Sequence, residues 1–531
     1  MSSTLGTPPV WWQSGAIYQV YPRSFQDSNG DGIGDLQGIR SRLDYLVALG
    51  IDAIWISPFF PSPMADFGYD ISDYCGVDPI FGTLGDFDRL IADAHERGVR
   101  VILDFVPNHT SDRHPWFAES CSGRSSPKRD WYIWRDPAPG GGPPNNWTSN
   151  FGGSAWEYDE MSGQYYYHAF LKAQPDLNWR NPQVRAAMMD ALRFWLAHGV
   201  DGFRVDVIWH LIKDAEFRDN PPNPAYGPGQ PDIARFLQVY STDQPEVLDI
   251  IAQMRATLDE HGDKLLIGEI YLPVERLVAY YGPELSGVHL PFNFQLIHAP
   301  WNARGLDTLI ETYERALPAG AWPNWVLSNH DQRRISTRVG AAQARVAAML
   351  LLTLRGTPTI YYGDELGLED AHIPPDAAQD PWEKNEPGLG LGRDPARTPM
   401  RWTSLPGAGF TEGVPWLPIG GRPEQNVADQ MSDPDSMLHL YHRLLKLRRA
   451  HEALSLGKYE SVVATGDILA YWRRNGEEGL MIVLNLGHKN TPIELGGVFS
   501  VLASTHPDSA EEAGPGIFVM RPDEGLLLKP R

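Results

Sequence analysis

Residues 199 to 210 read GVDGFRVDVIWH, a short apolar run in which Arg204 and Asp206 stand two residues apart. Side chains alternate across a strand, so the two charges share one face, and charges are seldom buried unless paired or employed. Taken alone, a structural ion pair explains the stretch. Four others share its form, a helix-like segment ending in glycine, then an apolar run, then a polar cluster: LGIDAIWISP (49 to 58), RGVRVILDFVPNH (97 to 109), HGDKLLIGEI (261 to 270) and RGTPTIYYGDE (355 to 365). Glycine just past a helix supplies the left-handed residue that ends it, and a continuous apolar run suits a parallel strand buried on both faces.

The segments in front have helical period: Leu36, Ile39, Leu43, Leu46 and Val47 before Gly50, and Val184, Met188, Ala191, Trp195 and Leu196 before Gly199. Asn181 and Pro182 read as cap and first helical residue. With AIYQVYPRSF (16 to 25), VHLPFNF (288 to 294) and WVLSNHD (325 to 331), eight strand candidates result, the number that a (β/α)8 barrel requires. An open doubly wound sheet is the alternative, but no GxGxxG follows the first strand. The fold class is therefore α/β, with the barrel in two parts (1 to 109 and 175 to 452). Residues 110 to 174, rich in Gly, Pro, Trp and Tyr, form an irregular inserted subdomain expected to cap the barrel mouth. Residues 453 to 531 carry short β-like pieces and predict a C-terminal antiparallel β domain.

The 531 residues hold 45 Lys and Arg against 67 Asp and Glu, a net charge of −22, which argues against nucleic acid or an anionic membrane as partner. The chain has two cysteines, Cys75 and Cys121, which is no disulfide framework. The opening MSSTLGTPPVWWQSG lacks the basic and apolar regions of a signal peptide, so a cytoplasmic home is expected. The most apolar run, Ala347 to Leu354, is far too short to cross a bilayer. Monomer or small homo-oligomer is the expected assembly. Many of the aromatics fall in loop-like stretches, which suggests flat-faced ligands.

Asp104 lies 6 residues beyond Gly98, Asp206 lies 7 beyond Gly199, and Glu269 lies 7 beyond Gly262. All three should reach the C-terminal rim, where barrel enzymes build their sites, and Asp331 closes a further strand there. An all-structural reading does not suit four converging acids with Arg204 and two histidines. Metal catalysis lacks a ligand spacing. Two carboxyls of unequal pKa are what retaining glycoside cleavage needs, and Arg204 would then keep Asp206 ionised.

DFVPNH (104 to 109), GFRVDV (202 to 207), GEI (268 to 270) and SNHD (328 to 331) resemble, in order, the four signature segments of the α-amylase superfamily, glycoside hydrolase family 13. The resemblance implies Asp206 as nucleophile, Glu269 as general acid/base and Asp331 as the residue that steadies the transition state. It also implies Arg204, His109 and His330 as contacts around the glucose unit, supported by Asp104 and Asn108. QPDLN (174 to 178), GYDISDY (68 to 74) and GRDPARTPM (392 to 400) resemble the oligo-1,6-glucosidase and α-glucosidase branch. There the acid matching Asp70, with Arg393 or Arg397, would grip the far hydroxyls of a terminal glucose, and Tyr69 would stack on the sugar. Val207 goes with α-1,6 cleavage in that branch, but the following IWH and RDNPPNP (218 to 224) depart from its pattern and would lie near the aglycone, so linkage stays open.

Asp27, Asn29, Asp31, Ile33 and Asp35 read like the front of an EF-hand loop with Gly32 at its turn, yet Gly38 stands where the closing Glu belongs. A static structural Ca2+ or Mg2+ is expected, the alternative being an Asx-rich turn. The leading reading is a retaining exo-α-glucosidase for short α-glucosides, without a catalytic cofactor. Its rival is a glucosyl-transferring or isomerising relative of the trehalose synthase or sucrose isomerase type. A non-catalytic amylase-like binding module is the remote alternative.

Overall fold

The computed structural model describes residues 9 to 531, so the leader reading of the first eight residues lies outside the described residues. Eight parallel strands form one sheet: β1 (Ile17–Val20), β2 (Ala53–Ile56), β3 (Arg100–Phe105), β4 (Gly202–Val205), β5 (Leu265–Ile270), β6 (Leu290–Asn293), β7 (Asn324–Val326) and β8 (Thr357–Tyr361). Their order is β7-β8-β1-β2-β3-β4-β5-β6, and β6 and β7 touch across the seam, so the sheet curls into a nearly closed barrel. All eight coincide with strand candidates of the sequence.

Alternation divides the strand side chains between two cores. Ile17, Ala53, Trp55, Ile102, Ile267, Leu290 and Phe292 fill the barrel interior. Tyr18, Ile54, Val101, Leu103, Phe203 and Leu266 pack outward against the helices. The helix Pro182–Ala197 buries Val184, Met188, Ala191, Leu192, Trp195 and Leu196, and Asn181 caps it by accepting from the Gln183 backbone N–H. Each such large side chain contributes roughly 1.5–3 kcal/mol on burial, which fixes the helix on the sheet. Gly50 and Gly199 end their helices at φ of 100° and 93°, a region that L side chains avoid.

One predicted helix is two. Leu36–Ser41 and Leu43–Leu49 are separated at Arg42, which leaves helical geometry as its guanidinium bonds Gln26 and lies 4.1 Å from the Trp402 ring centre. Val47, read as part of the buried face, is 39% exposed. The insertion after β3 carries the helix Pro115–Cys121 and a three-stranded antiparallel sheet with Gln164–Tyr167 at its centre. Trp147, Trp156 and Tyr167 anchor it. After residue 457 a six-stranded antiparallel sheet and a two-stranded one enclose their own core. This β unit is tied to the barrel where Tyr471 and Thr353 share a 2.6 Å hydrogen bond.

Gly202 sits where a Cβ would stand 2.5 Å from the Leu265 carbonyl oxygen, backbone that cannot step aside. Gly202→Ala is expected to part β4 from β5 and lower the thermal midpoint by several degrees, whereas Gly227→Ala, with open space around it, shifts it by about one degree or less. Thermal unfolding of the two variants checks this.

Candidate active site

Strand register builds the floor of the site. Asp104 on β3 faces Arg204 on β4, and the Asp206 backbone N–H donates to the Phe105 carbonyl just past the strand ends. Arg204 Nη1 donates to Asp104 Oδ1 and to Asp206 Oδ1, both at 2.8 Å. Its Nη2 lies 2.8 Å from Glu269 Oε2, an ion contact without hydrogen-bond alignment. Glu269 Oε2 also accepts the Val207 backbone N–H at 2.8 Å. One fully buried guanidinium thus touches three buried carboxyls, with its flat face 4.9 Å from the Trp55 ring centre.

Burial raises the Asp206 carboxyl well above its ordinary range; Glu269 adds to this and Arg204 opposes it. Burial raises Glu269 as well, again opposed by Arg204 and reinforced by the charge of Asp331. The charge of Glu269 is one cause of the rise at Asp206, so this buried pair favours a single shared proton. The aligned guanidinium bond favours charge on Asp206, which leaves the proton on Glu269.

Asp331 is governed differently. Burial pushes its pKa up, but the contact with His330 and the guanidiniums of Arg393 and Arg397 outweigh burial and hold it below the ordinary range. Arg397 Nη2 donates to Asp331 Oδ1 at 2.8 Å and Arg393 Nη1 to the same oxygen at 3.2 Å. Burial keeps His330 neutral. Gln19 donates to its Nδ1 at 2.8 Å, so Nε2–H points at the Tyr69 hydroxyl, 2.6 Å away, which donates in turn to Asp104 Oδ2 at 3.0 Å. One face of the Tyr69 ring stacks on His330, with centroids 5.3 Å apart, and Tyr69 also lines the cavity.

These groups converge on a cavity of about 260 Å3 whose wall includes Asp66, Tyr69, His109, Asp206, Glu269, Asp331 and Arg393. Arg204, His330 and Arg397 lie beneath this surface, holding the carboxyls rather than lining the space. His109 is held by Asn108 at 3.2 Å and by the Tyr69 carbonyl at 3.1 Å, and burial lowers its pKa to about 4. Asn108 is fixed in turn by Asp176 of the QPDLN segment and by Lys213, at 2.8 Å each.

Asp70 is a correction. It is fully buried outside the cavity, its oxygens taken by Ser62 Oγ and by the backbone N–H groups of Ala65 and Asp66. The acid that reaches the cavity is Asp66, four residues earlier, paired to Arg393 Nη2 at 2.7 Å. The segment 218 to 224 is likewise absent from the cavity wall: Trp147 Nε1 donates to the Arg218 carbonyl, and Asn146 bonds Asp219 and Asn220, so it braces the insertion instead. Trp209 and His210 do line the wall, as do Phe170, Tyr271 and Trp382, which carry no individual signal in the sequence.

In the acidic loop, Asp27 accepts backbone N–H groups from Asn29, Gly30 and Gly32, and Asp35 caps the next helix through Gly38. Asp31 accepts from the Ile33 backbone N–H, and Asn29 bonds Asp31 in both directions. Among the described residues no group of three or more His, Cys, Asp or Glu converges as a metal centre.

The model of the α-amylase catalytic domain matches residues 19 to 457. A probable α-glucosidase of Rhizobium meliloti (strain 1021) is 46% identical over 93% of this chain and 92% of its own length. An oligo-1,6-glucosidase of Heyndrickxia coagulans is 40% identical over 91% and 93%. Among solved structures, the α-glucosyl transfer enzyme XgtA superposes with a TM-score of 0.94 at 40% identity, covering 98% of this chain and all of that one. The isomaltulose synthase SmuA from Protaminobacter rubrum gives 0.91 at 34%, covering 99% of this chain and all of that one.

Removing the shared cation leaves three buried carboxyls uncompensated, a loss of roughly 3–5 kcal/mol. In Arg204→Met those carboxyls have folded pKa values above their unfolded ones. Their contribution is then fully present below the unfolded pKa and lost as pH rises through the folded one. The thermal deficit of the variant against the parent should therefore be largest at pH 7 and shrink toward pH 5, read by calorimetry at both.

Proposed function

The chain belongs to the α-amylase family of glycoside hydrolases, and on that footing we propose that it is a retaining, exo-acting α-glucosidase that releases terminal glucose from short α-glucosides. The observation that carries the reading is Arg204 holding Asp206 and Glu269 on one rim of one cavity. Asp206, kept ionised by its aligned bond to Arg204, attacks the anomeric carbon while Glu269 passes its proton to the departing glycosidic oxygen. A covalent glucosyl ester on Asp206 results. Glu269, now a carboxylate, takes a proton from water as that water attacks the same carbon; the ester bond breaks, Asp206 leaves ionised and Glu269 is protonated again. Retention asks for carboxyls about 5–5.5 Å apart. Asp331, held negative by Arg393 and Arg397, steadies the oxocarbenium-like charge. His109 contacts the glucose unit, and Tyr69, anchored by His330, completes its wall.

The Asp66–Arg393 ion pair, buried at the cavity wall, supports exo action: it offers a charged end for the hydroxyls of a terminal glucose and no passage for a longer chain. The likeness to a glucosyl transfer enzyme and an isomaltulose synthase favours a second reading, in which a sugar takes the place of water in the second step. Resolving the products from maltose, isomaltose, sucrose and trehalose separates the two.

Among the described residues no helix is long and apolar enough to cross a membrane. Two free thiols, Cys75 and Cys121, support a reducing, cytoplasmic setting. For the loop at 27 to 35 we propose a structural Ca2+ or Mg2+ held by oxygens of Asp27, Asn29, Asp31, Asp35 and the Ile33 carbonyl. The donor set is all oxygen, as hard cations require, and it spans a turn at Gly32 where an added Cβ would stand 1.8 Å from the Val414 carbonyl oxygen. The ion would staple this loop and take no part in the chemistry.

Glu269→Gln should lower kcat on unactivated disaccharides by about three orders of magnitude or more while substrate binding persists; unchanged turnover would refute the assignment. In the parent, kcat/KM should fall at low pH as Asp206 gains a proton and at high pH as Glu269 loses its own, and the alkaline limb should be missing in Glu269→Gln. Stripping divalent ions with a chelator should lower the thermal midpoint by about 2 °C or more, with recovery on adding Ca2+ or Mg2+. An unmoved midpoint means that the loop holds no ion.

A further inference from the structure

The cavity has two unlike sides. One is closed by the charged Asp66–Arg393 pair. The other adjoins Glu269, and it is built by the turn that leaves β4. Val207 adopts φ 37° and ψ 46°, a left-handed geometry that costs a β-branched residue about 1–3 kcal/mol, and its N–H is spent on Glu269. The short helix Ile208–His210 follows, and the bend brings Trp209 and His210 into the cavity wall beside Tyr271 and Phe170. In the glucosidase reading Glu269 protonates the departing oxygen, so this side faces the leaving group.

On that wall Trp209, Tyr271 and Phe170 are aromatic, and Val207, His210 and Gln332, whose Nε2 donates to the Tyr271 hydroxyl at 3.4 Å, complete it. The imidazole is 5% exposed and packs on Phe170 and Trp209, with ring centres 5.4 and 4.8 Å away. His109 and His330 each have partners at both ring nitrogens. His210 has none among the described residues, and its Nδ1 is sealed from solvent without a partner. Nδ1 stays unpaired at a cost of about 1–3 kcal/mol, while Nε2, likewise without a partner among the described residues but not sealed, is the nitrogen that a molecule in the cavity can reach. Burial, with Lys213 and His109 nearby, keeps the ring neutral, with one donor and one acceptor. Since Nδ1 is the sealed nitrogen and an unpaired N–H is the rarer defect, we assign the proton to Nε2.

We infer that His210 recognises the sugar on the leaving-group side of the cavity, donating a hydrogen bond from Nε2 to one of its hydroxyls. The inference rests on the glucosidase reading and adds to it a residue that favours hydroxyl-bearing leaving groups over bare ones. By microscopic reversibility, the same bond holds a sugar acceptor when glucose is transferred rather than released.

The test compares isomaltose or maltose, whichever the parent cleaves faster, with α-glucosyl fluoride, whose leaving group has no hydroxyl. In His210→Phe the ratio of kcat/KM for disaccharide to that for fluoride should fall about 10-fold, and His210→Gln, which keeps a donor, should recover part of it. With the fluoride as donor and free glucose as acceptor, the share of disaccharide among the products should fall in His210→Phe in the same proportion. Each comparison is a ratio within one sample, so a loss of folded protein does not enter it; should His210→Phe yield no folded protein, His210→Asn replaces it. If the parent cleaves both compounds and the ratio stays within about twofold, the inference about His210 is overturned and the glucosidase reading stands. If the parent cleaves neither, the reading falls and this inference with it.

Discussion

A guanidinium with no solvent access, Arg204, touches Asp104, Asp206 and Glu269, and this contact is the constraint around which the barrel rim is arranged. Taking four ionisable groups out of water is tolerable only when each finds its counterpart in good geometry. The register that sets Asp104 opposite Arg204, the Phe105 carbonyl that receives the Asp206 N–H, and the Val207 N–H on Glu269 all serve that requirement. A slip of one residue along β4 would turn Arg204 toward the helices. The barrel therefore positions chemistry by the same pairing that makes its own interior possible.

The unequal treatment of the acids follows from what surrounds each. Asp331 receives two guanidinium contacts and stays charged. Asp206 and Glu269 share one cation between them, and only Asp206 has it aligned. That asymmetry divides a nucleophile from an acid within one buried pair. Loops supply what strands cannot: Asp66 from the segment after β2, Phe151 and Phe170 from the insertion, Trp382 and Arg393 from the stretch after β8. The rigid sheet holds the reacting groups, and the connections shape the space.

The strands and the rim acids were legible because they obey a period: glycine, apolar run and acid recur at nearly constant depth, and burial on both faces leaves little alternative to a parallel sheet. The resemblance pointed to Asp70, and no local pattern singled out Asp66. Both lie in one loop, four residues apart, and which carboxylate turns inward depends on three donors, from Ser62, Ala65 and Asp66, that meet only after folding. Arg393 and Arg397 posed the same difficulty: Arg393 lines the cavity while Arg397 supports Asp331 from beneath. The break at Arg42 was hidden for a like reason, since its cause is Trp402, far along the chain. Local pattern reaches as far as the elements and the faces they present; contacts between distant loops decide the rest.

The central claim is that bond cleavage passes through a glucosyl group carried on Asp206 and released to water on the face from which the aglycone departed. Proton NMR of freshly released glucose, recorded within the first turnovers before mutarotation, measures this directly. The account predicts the α anomer as the first product; the β anomer appearing first would contradict it.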